Sequence, residues 1–330
     1  MPRQPRLDAP GTLHHVMARG IEGAKIFRDD TDRKDFVDRL SSLCRNRSLN
    51  LYAWAFLPNH FHLFVRTGNQ PLAKSMKRLL TGYVVNFNLR HRRRGHLFQN
   101  RYKSIVCEED PYLLELTRYI HLNPLRAGIV KDLKELGKYP WTGHSAIVGE
   151  VKRDWQDTDT ILGYFGKGRR RAVLGYEEFV AEGAGWGRRP ELVGGGLVRS
   201  MGGWSEVLSL RRRGIKAASD DRILGSSEFV MGLFSEAEAA ARETLRLSAK
   251  VPDLKSLAGR IGKGEGIEEA DLRSGIRSKK VSKARRLFCQ LAVRKMGHSG
   301  AEVARFLGVT TSAVSRLANS ADVPELRRYL

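Results

Sequence analysis

Two short segments of this chain hold side chains that could do phosphate chemistry. Pro58-Asn59-His60-Phe61-His62-Leu63 sets two imidazoles on either side of a bulky apolar residue, within the run LYAWAFLPNHFHLFVR. That run reads as β-strand, and strand side chains alternate between faces. His60 and His62 therefore project together, with Phe61 buried on the opposite side. Two imidazoles from one rigid strand make half of a metal site. The second segment is Arg118-Tyr119-Ile120-His121-Leu122-Asn123-Pro124. On a helix, Tyr119 and Asn123 lie one turn apart on the same face, and Pro124 ends or kinks that helix. A tyrosine hydroxyl can attack a phosphodiester and become covalently linked to it. A divalent ion on His60, His62 and the amide oxygen of Asn123 would polarise the phosphate as a Lewis acid. Imidazole and oxygen ligands suit Mg²⁺ or Mn²⁺ and do not exclude zinc.

Each of these residues also has a plainer reading. A His-Phe-His strand can be a packed pair without metal. Tyr119 can be a core or edge aromatic, and Asn123-Pro124 a simple helix stop. Tyr112, seven residues before Tyr119, is the rival nucleophile. His121 projects about 200° away from Tyr119 and falls outside the site.

The elements that must position these groups follow from periodicity and turn chemistry. Residues 11–20 read as a strand between glycines, with Val16 and Ala18 on one face and His15 and Met17 on the other. Residues 29–48 read as a helix capped by Asp29, Asp30 and Thr31. Strands at 50–57 and 60–67 flank a Pro58-Asn59 turn. A second helix covers 71–91, a strand 96–107, and a third helix 110–122 with Pro111 in its first turn. The order β-α-β-β-α-β-α predicts an α+β fold, a ferredoxin-like split βαβ antiparallel sheet. Two helices are expected on one face, and the other is left open to a large substrate.

From about residue 140 the composition changes. The stretch 146–225 carries GKGRRR, GWGRRP, VGGG and LRRRG, and predicts a Gly/Arg-rich connector with short helices at 176–182 and 204–210. Helical patterning returns at 227–247. Ser299–Gly308 and Thr310–Leu317 then read as helix, glycine turn, helix, a helix-turn-helix pattern. The expected domains are 1–145, 146–225 and 226–330, the last mainly α-helical.

The 330 residues hold 58 Lys plus Arg against 36 Asp plus Glu, a formal charge of +22. Such a field favours a polyanion, and nucleic acid leads. A membrane partner ranks lower: no run nears the ~18 apolar residues of a span, and no basic amphipathic helix with an aromatic face stands out. The three cysteines are scattered, which suggests a reducing cytoplasm. No G-x-x-x-x-G-K-[ST] pattern calls for a nucleotide cofactor.

GTLHHVMARG, PNHFHLFVR and YLLELTRYIHLNPLRAG closely resemble the HUH family of single-strand DNA transposases, within it the IS200-like group and its REP-associated tyrosine transposase branch. The resemblance covers roughly the first 145 residues. It implies that His60 and His62 bind a divalent metal and that Tyr119 forms a 5′-phosphotyrosine link while a 3′-hydroxyl is released. Asn123 falls where a polar third ligand is expected, often glutamine in this group. His15 matches a position common in the family. The resemblance implies DNA nicking and strand transfer on single-stranded or hairpin DNA, by a monomer or homodimer, with the tyrosine serving its own metal site or a partner's. A bacterial cytoplasm, at the nucleoid, is the expected location.

DNA contacts are expected from Arg90, Arg92, Arg93, Arg94, Arg101 and Lys103, whose cations suit phosphate oxygens, with Tyr102 and Phe98 stacking on bases. A solvated basic loop is the bland alternative. In the C-terminal helix pair, Thr311, Ser312, Ser315 and Arg316 would face DNA, beside the basic residues Arg285, Arg286, Arg294, Lys295 and Arg305. This segment resembles the DNA-binding domain of bacterial replication initiators. Two rival functions stand against catalysis. One is a non-catalytic DNA-binding regulator; the other is an RNA-binding ferredoxin-like module, which lacks the RNP signature here.

Overall fold

The computed structural model describes residues 10–68, 70–187, 189–193, 220–236, 253–276, 278–296, 298–321 and 323–329. The helix expected at 204–210 and the second half of that at 227–247 lie outside them; residues 227–236 are helical. The chain divides into two compact units, Met1–Leu233 and Phe234–Leu330.

The first unit is built on a five-stranded sheet in the order β2-β3-β1-β4-β5. Its strands are β1 (Leu13–Arg19), β2 (Leu49–Leu57), β3 (His60–Thr67), β4 (Lys103–Cys107) and β5 (Ile223–Leu224). The first four pair antiparallel, in the split βαβ order, and β5 runs parallel to β4. The fold is α+β, as expected. The strand alternation is also as read: Val16 and Ala18 enter one core with Phe61, Leu63 and Val65, while Leu13 and Phe64 enter the other. In β2 the alternation breaks at a register shift between Leu51 and Ala53. Tyr52 and Ala53 therefore both face the second core, and Trp54 and Phe56 the first.

The first core lies under α1 (Asp30–Arg45) and α2 (Leu72–Arg90). Asp29 caps α1 by accepting from the backbone N–H groups of Thr31 and Asp32. Phe27, Phe36, Phe56, Phe61 and Tyr83 form a fully buried aromatic cluster beneath these helices. Burying each such ring contributes about 1.5–3 kcal/mol. Just after β1, Gly20 sits where nothing larger fits: a Cβ there would lie 2.0 Å from the Ala24 carbonyl oxygen.

Three expectations change. The second face of the sheet is covered, not open. It is packed by α3 (Glu109–His121), α4 (Asn123–Arg126), α5 (Leu133–Lys138), α6 (His144–Ile147), α7 (Thr158–Gly163) and α8 (Arg169–Glu182). Within 146–193, Ile161, Leu162, Tyr176 and Val180 are buried in this second core, and the short helix expected at 176–182 is the end of α8. The stretch 96–107 is strand only over β4. Leu97 and Tyr102 both enter the first core, an odd spacing that one straight strand cannot provide, since such residues would face opposite sides.

The second unit is helical among its described residues, around a core of its own that includes Leu257, Ile261, Leu287, Phe288, Val303 and Val314. Helix Gly300–Leu307 starts with a capping box between Ser299 and Glu302. It ends on Gly308 in the left-handed region, φ 68°. Thr310 then caps helix Thr311–Ala318 by accepting from the Ala313 N–H. No helix among the described residues is long and apolar enough to cross a membrane.

Candidate active site

The strand places His60 and His62 on the second face, under the N-terminal part of the sheet's helical cover. His62 pairs across to Met17 of β1, and His60 to Arg19. Their ring centroids are 5.2 Å apart. Tyr119, near the end of α3, stands edge-on to His62 at 6.1 Å and to His15 at 6.4 Å. His60, His62 and Tyr119 line one cleft of about 770 Å³ with Asn123, Arg19, Arg101, Lys103, Arg126 and Arg189.

The hydrogen bonds define the imidazoles. His60 Nδ1 lies 2.7 Å from Asn59 Oδ1. With the amide oxygen as acceptor, the proton sits on Nδ1 and the Nε2 lone pair is left for a ligand. His62 Nδ1 lies 2.9 Å from His15 Nε2. His15 Nδ1 lies 3.2 Å from the Leu192 carbonyl oxygen. Burial lowers His60 to about 4, helped by Arg19, and lowers His15 to about 4 as well. His62 is also held well below the usual imidazole value, first by burial and then by His15 and His60. All three rings are therefore neutral at neutral pH, the form in which imidazole ligates a metal.

Asn123 donates from Nδ2 to the carbonyls of Tyr119 and Ile120, at 3.0 and 3.2 Å. This satisfies the end of α3 through Nδ2, so that Oδ1 is the amide atom that could act as an acceptor or ligand. Among the described residues no group of three or more His, Cys, Asp and Glu gathers as a metal cage. Two imidazoles and one amide oxygen in a cleft fit a divalent ion that keeps coordination positions for phosphate and water.

The other expected residues divide. Arg101 and Lys103 are exposed and line the cleft. Arg92 and Arg94 are exposed, and Arg93 is half-buried beside Phe87. Arg90 is occupied internally, bridging Asp29 and Asp32 and so tying α2 to the start of α1. Tyr102 is buried in the first core, which takes its ring out of reach of a base. Tyr112 is not among the residues lining the cleft, and burial beside Glu108 and Cys107 raises its phenol. His121 lies outside the cleft, its Nδ1 2.6 Å from the Tyr176 hydroxyl. In the second unit Thr311, Ser312, Ser315 and Arg316 are all exposed, while Val314 and Ala318 are buried. Arg285 is spent on the carbonyls of Asp271, Leu272, Ser274 and Ile276.

Three site residues were not singled out from the sequence. Arg126 donates to the Tyr119 carbonyl at 2.9 Å and sits 5.1 Å from the Tyr119 ring centre; its i+7 spacing from Tyr119 is a usable signal. Arg189 and Leu192 reach the site from a strap at 183–193. That strap is held by Arg118, whose guanidinium lies between the rings of Phe179 and Trp186 at 4.0 and 4.2 Å. No local pattern marks a carbonyl as distant in sequence as that of Leu192.

A split antiparallel sheet thus carries paired histidines beneath a helix-borne tyrosine, around one basic cleft. The family described as "Transposase IS200 like" matches residues 11–123. The solved structure described as "Structure of the REP associates tyrosine transposase bound to a REP hairpin" is similar at 16% identity and a TM-score of 0.37, over 46% of this chain and 89% of that one. No curated protein matches the chain.

Proposed function

We propose that this protein is a metal-dependent DNA endonuclease and strand transferase of the HUH tyrosine type, acting on single-stranded or hairpin DNA, as in the REP-associated branch. The observation that carries the reading is the meeting of His60, His62, Tyr119 and Asn123 around one cleft rimmed by cations. The Tyr119 oxygen attacks the phosphorus and its proton leaves. The bond from phosphorus to the 3′-oxygen breaks, giving a 5′-phosphotyrosine and a free 3′-hydroxyl. Attack by a 3′-hydroxyl later reverses the link, so no nucleotide cofactor is consumed. His60, His62 and Asn123 would hold Mg²⁺ or Mn²⁺, which would supply Lewis-acid stabilisation of the non-bridging oxygens. Arg126, beside the phenol, stabilises negative charge developing on its oxygen. Arg101 and Lys103 hold flanking phosphates, with Arg92, Arg93 and Arg94 extending that track. The exposed residues Thr311, Ser312, Ser315 and Arg316 add a second DNA contact, in the manner of a recognition helix.

The test is incubation of the full chain with labelled hairpin oligonucleotides and Mn²⁺, resolved on a denaturing gel. A protein–DNA adduct with an extendable 3′-end supports the reading. Sequence-specific binding without an adduct, under any divalent metal, would instead make the protein a DNA-binding regulator.

A further inference from the structure

With both rings neutral, the chain Leu192 carbonyl–His15–His62 has one consistent proton arrangement. A carbonyl oxygen accepts and never donates, so His15 Nδ1, 3.2 Å away, carries the proton. A neutral imidazole has one N–H, which leaves His15 Nε2 as a bare acceptor. His62 Nδ1, 2.9 Å from it, must then be the donor. The His15 and His62 ring centroids lie 5.1 Å apart, a separation that an end-to-end N–H···N bond between two imidazoles gives. The proton of His62 is thereby fixed on Nδ1, and its Nε2 lone pair is turned out for coordination.

We infer that His15 is a positioning residue, which, oriented by the Leu192 carbonyl, holds His62 in the tautomer that binds metal. The inference rests on the reading of His62 as a metal ligand. It assigns a role to the strap at 183–193, beyond the family-matched residues 11–123. The strap is fastened at several points. Arg118 stacks on Trp186, Arg189 reaches Glu115 at 3.4 Å, and Lys103 donates to the Val193 carbonyl at 2.8 Å. Groups that orient metal-binding histidines through their second nitrogen typically change metal affinity roughly 10–100-fold when removed.

The direct test is long-range ¹H–¹⁵N NMR of the metal-free full chain, labelled at histidine nitrogens. The expected His62 pattern is a protonated Nδ1 and an unprotonated Nε2. A protonated His62 Nε2 in the native protein overturns the inference, and this needs no variant to fold. Mn²⁺ binding, read by electron paramagnetic resonance without DNA, is the second measurement. His15→Phe keeps a flat ring but cannot accept, and should weaken Mn²⁺ roughly 10–100-fold and mix the His62 tautomers. His15→Gln offers an acceptor oxygen and a donor N–H, and should restore both readouts. Unchanged Mn²⁺ affinity in a folded His15→Phe variant sinks the inference. A native His62 Nδ1–H signal with Mn²⁺ bound but no DNA adduct leaves it standing while the proposed reaction falls.

Discussion

Tyr119 stands edge-on over His62, ring centres 6.1 Å apart and planes at 87°. A phenol carried by α3 and an imidazole carried by β3 thus share one wall of the cleft. Tyr119→Phe removes only the hydroxyl, keeps the ring contact, and should abolish the covalent adduct. Tyr112→Phe, outside the cleft lining, should leave adduct formation within a few-fold of the native rate. Denaturing gels of the labelled hairpin decide between them. An adduct that survives Tyr119→Phe and vanishes in Tyr112→Phe would reassign the nucleophile.

Arg118 is the rivet of the strap. Its side chain is 4% exposed, lies between Phe179 and Trp186, and donates to the Phe179 carbonyl at 3.1 Å. Arg118→Ala leaves Glu115 and two aromatic faces without it, at a cost of about 3–5 kcal/mol. Lysine should not rescue, because an ammonium cannot lie flat between two rings. Urea unfolding checks the cost, and limited proteolysis should show new cleavage within 183–193. A stable, protease-resistant Arg118→Ala protein would contradict this account.

Two buried histidines away from the proposed ligands make stability depend on pH. His14 and His144 are lowered from 6.5 to about 4 by burial, and neither nitrogen of His14 has a hydrogen-bond partner. The unfolded chain takes up these protons below 6.5 and the folded chain refuses them until about 4. Stability is therefore full above the unfolded value and falls as pH drops through that window. The loss is on the order of 3 kcal/mol for each group. Urea midpoints at several pH values measure the slope, and His144→Gln should flatten it. A midpoint that does not fall between neutral and weakly acidic pH would refute the assignment.

Gly20→Ala should destabilise the first unit, since the added methyl would meet the Ala24 carbonyl at 2.0 Å. The expected cost is about 1–3 kcal/mol from overpacking against backbone. A Gly20→Ala melting temperature equal to the native one would show that this loop yields freely.

In the second unit, replacing Arg316 with alanine should weaken DNA binding at a preferred sequence by about 1–3 kcal/mol. Adduct formation on a short hairpin should persist, because His60, His62, Tyr119 and Asn123 all lie in the first unit. Filter binding across a salt series tests this. If Arg316→Ala and Thr311→Ala both bind like the native chain, the helix is a packing element only.

Much of this was written locally. The alternation of Phe61, Leu63 and Val65 against His62 and Phe64 is a property of strand geometry, and so the shared face of His60 and His62 was legible from six residues. The same holds for the four-residue spacing of Tyr119 on α3 and Asn123 at the start of α4, and for the caps Asp29, Ser299 and Thr310, whose side chains answer to backbone groups two or three residues away. Motifs of that kind also carried the family resemblance over residues 11–123.

What the tertiary structure alone decided is where distant segments land. Arg90 sat in a basic run, yet Asp29 and Asp32 take it up; Tyr102 sat beside cations, yet the core takes its ring. The covered second face depends on helices that arrive long after the strands they cover, and the parallel β5 and the contact from Leu192 to His15 on chain closure across more than a hundred residues. Periodicity encodes which way a side chain points from its own element. It carries no term for which other element arrives there, and the proton positions on His15 and His62 follow from that arrival.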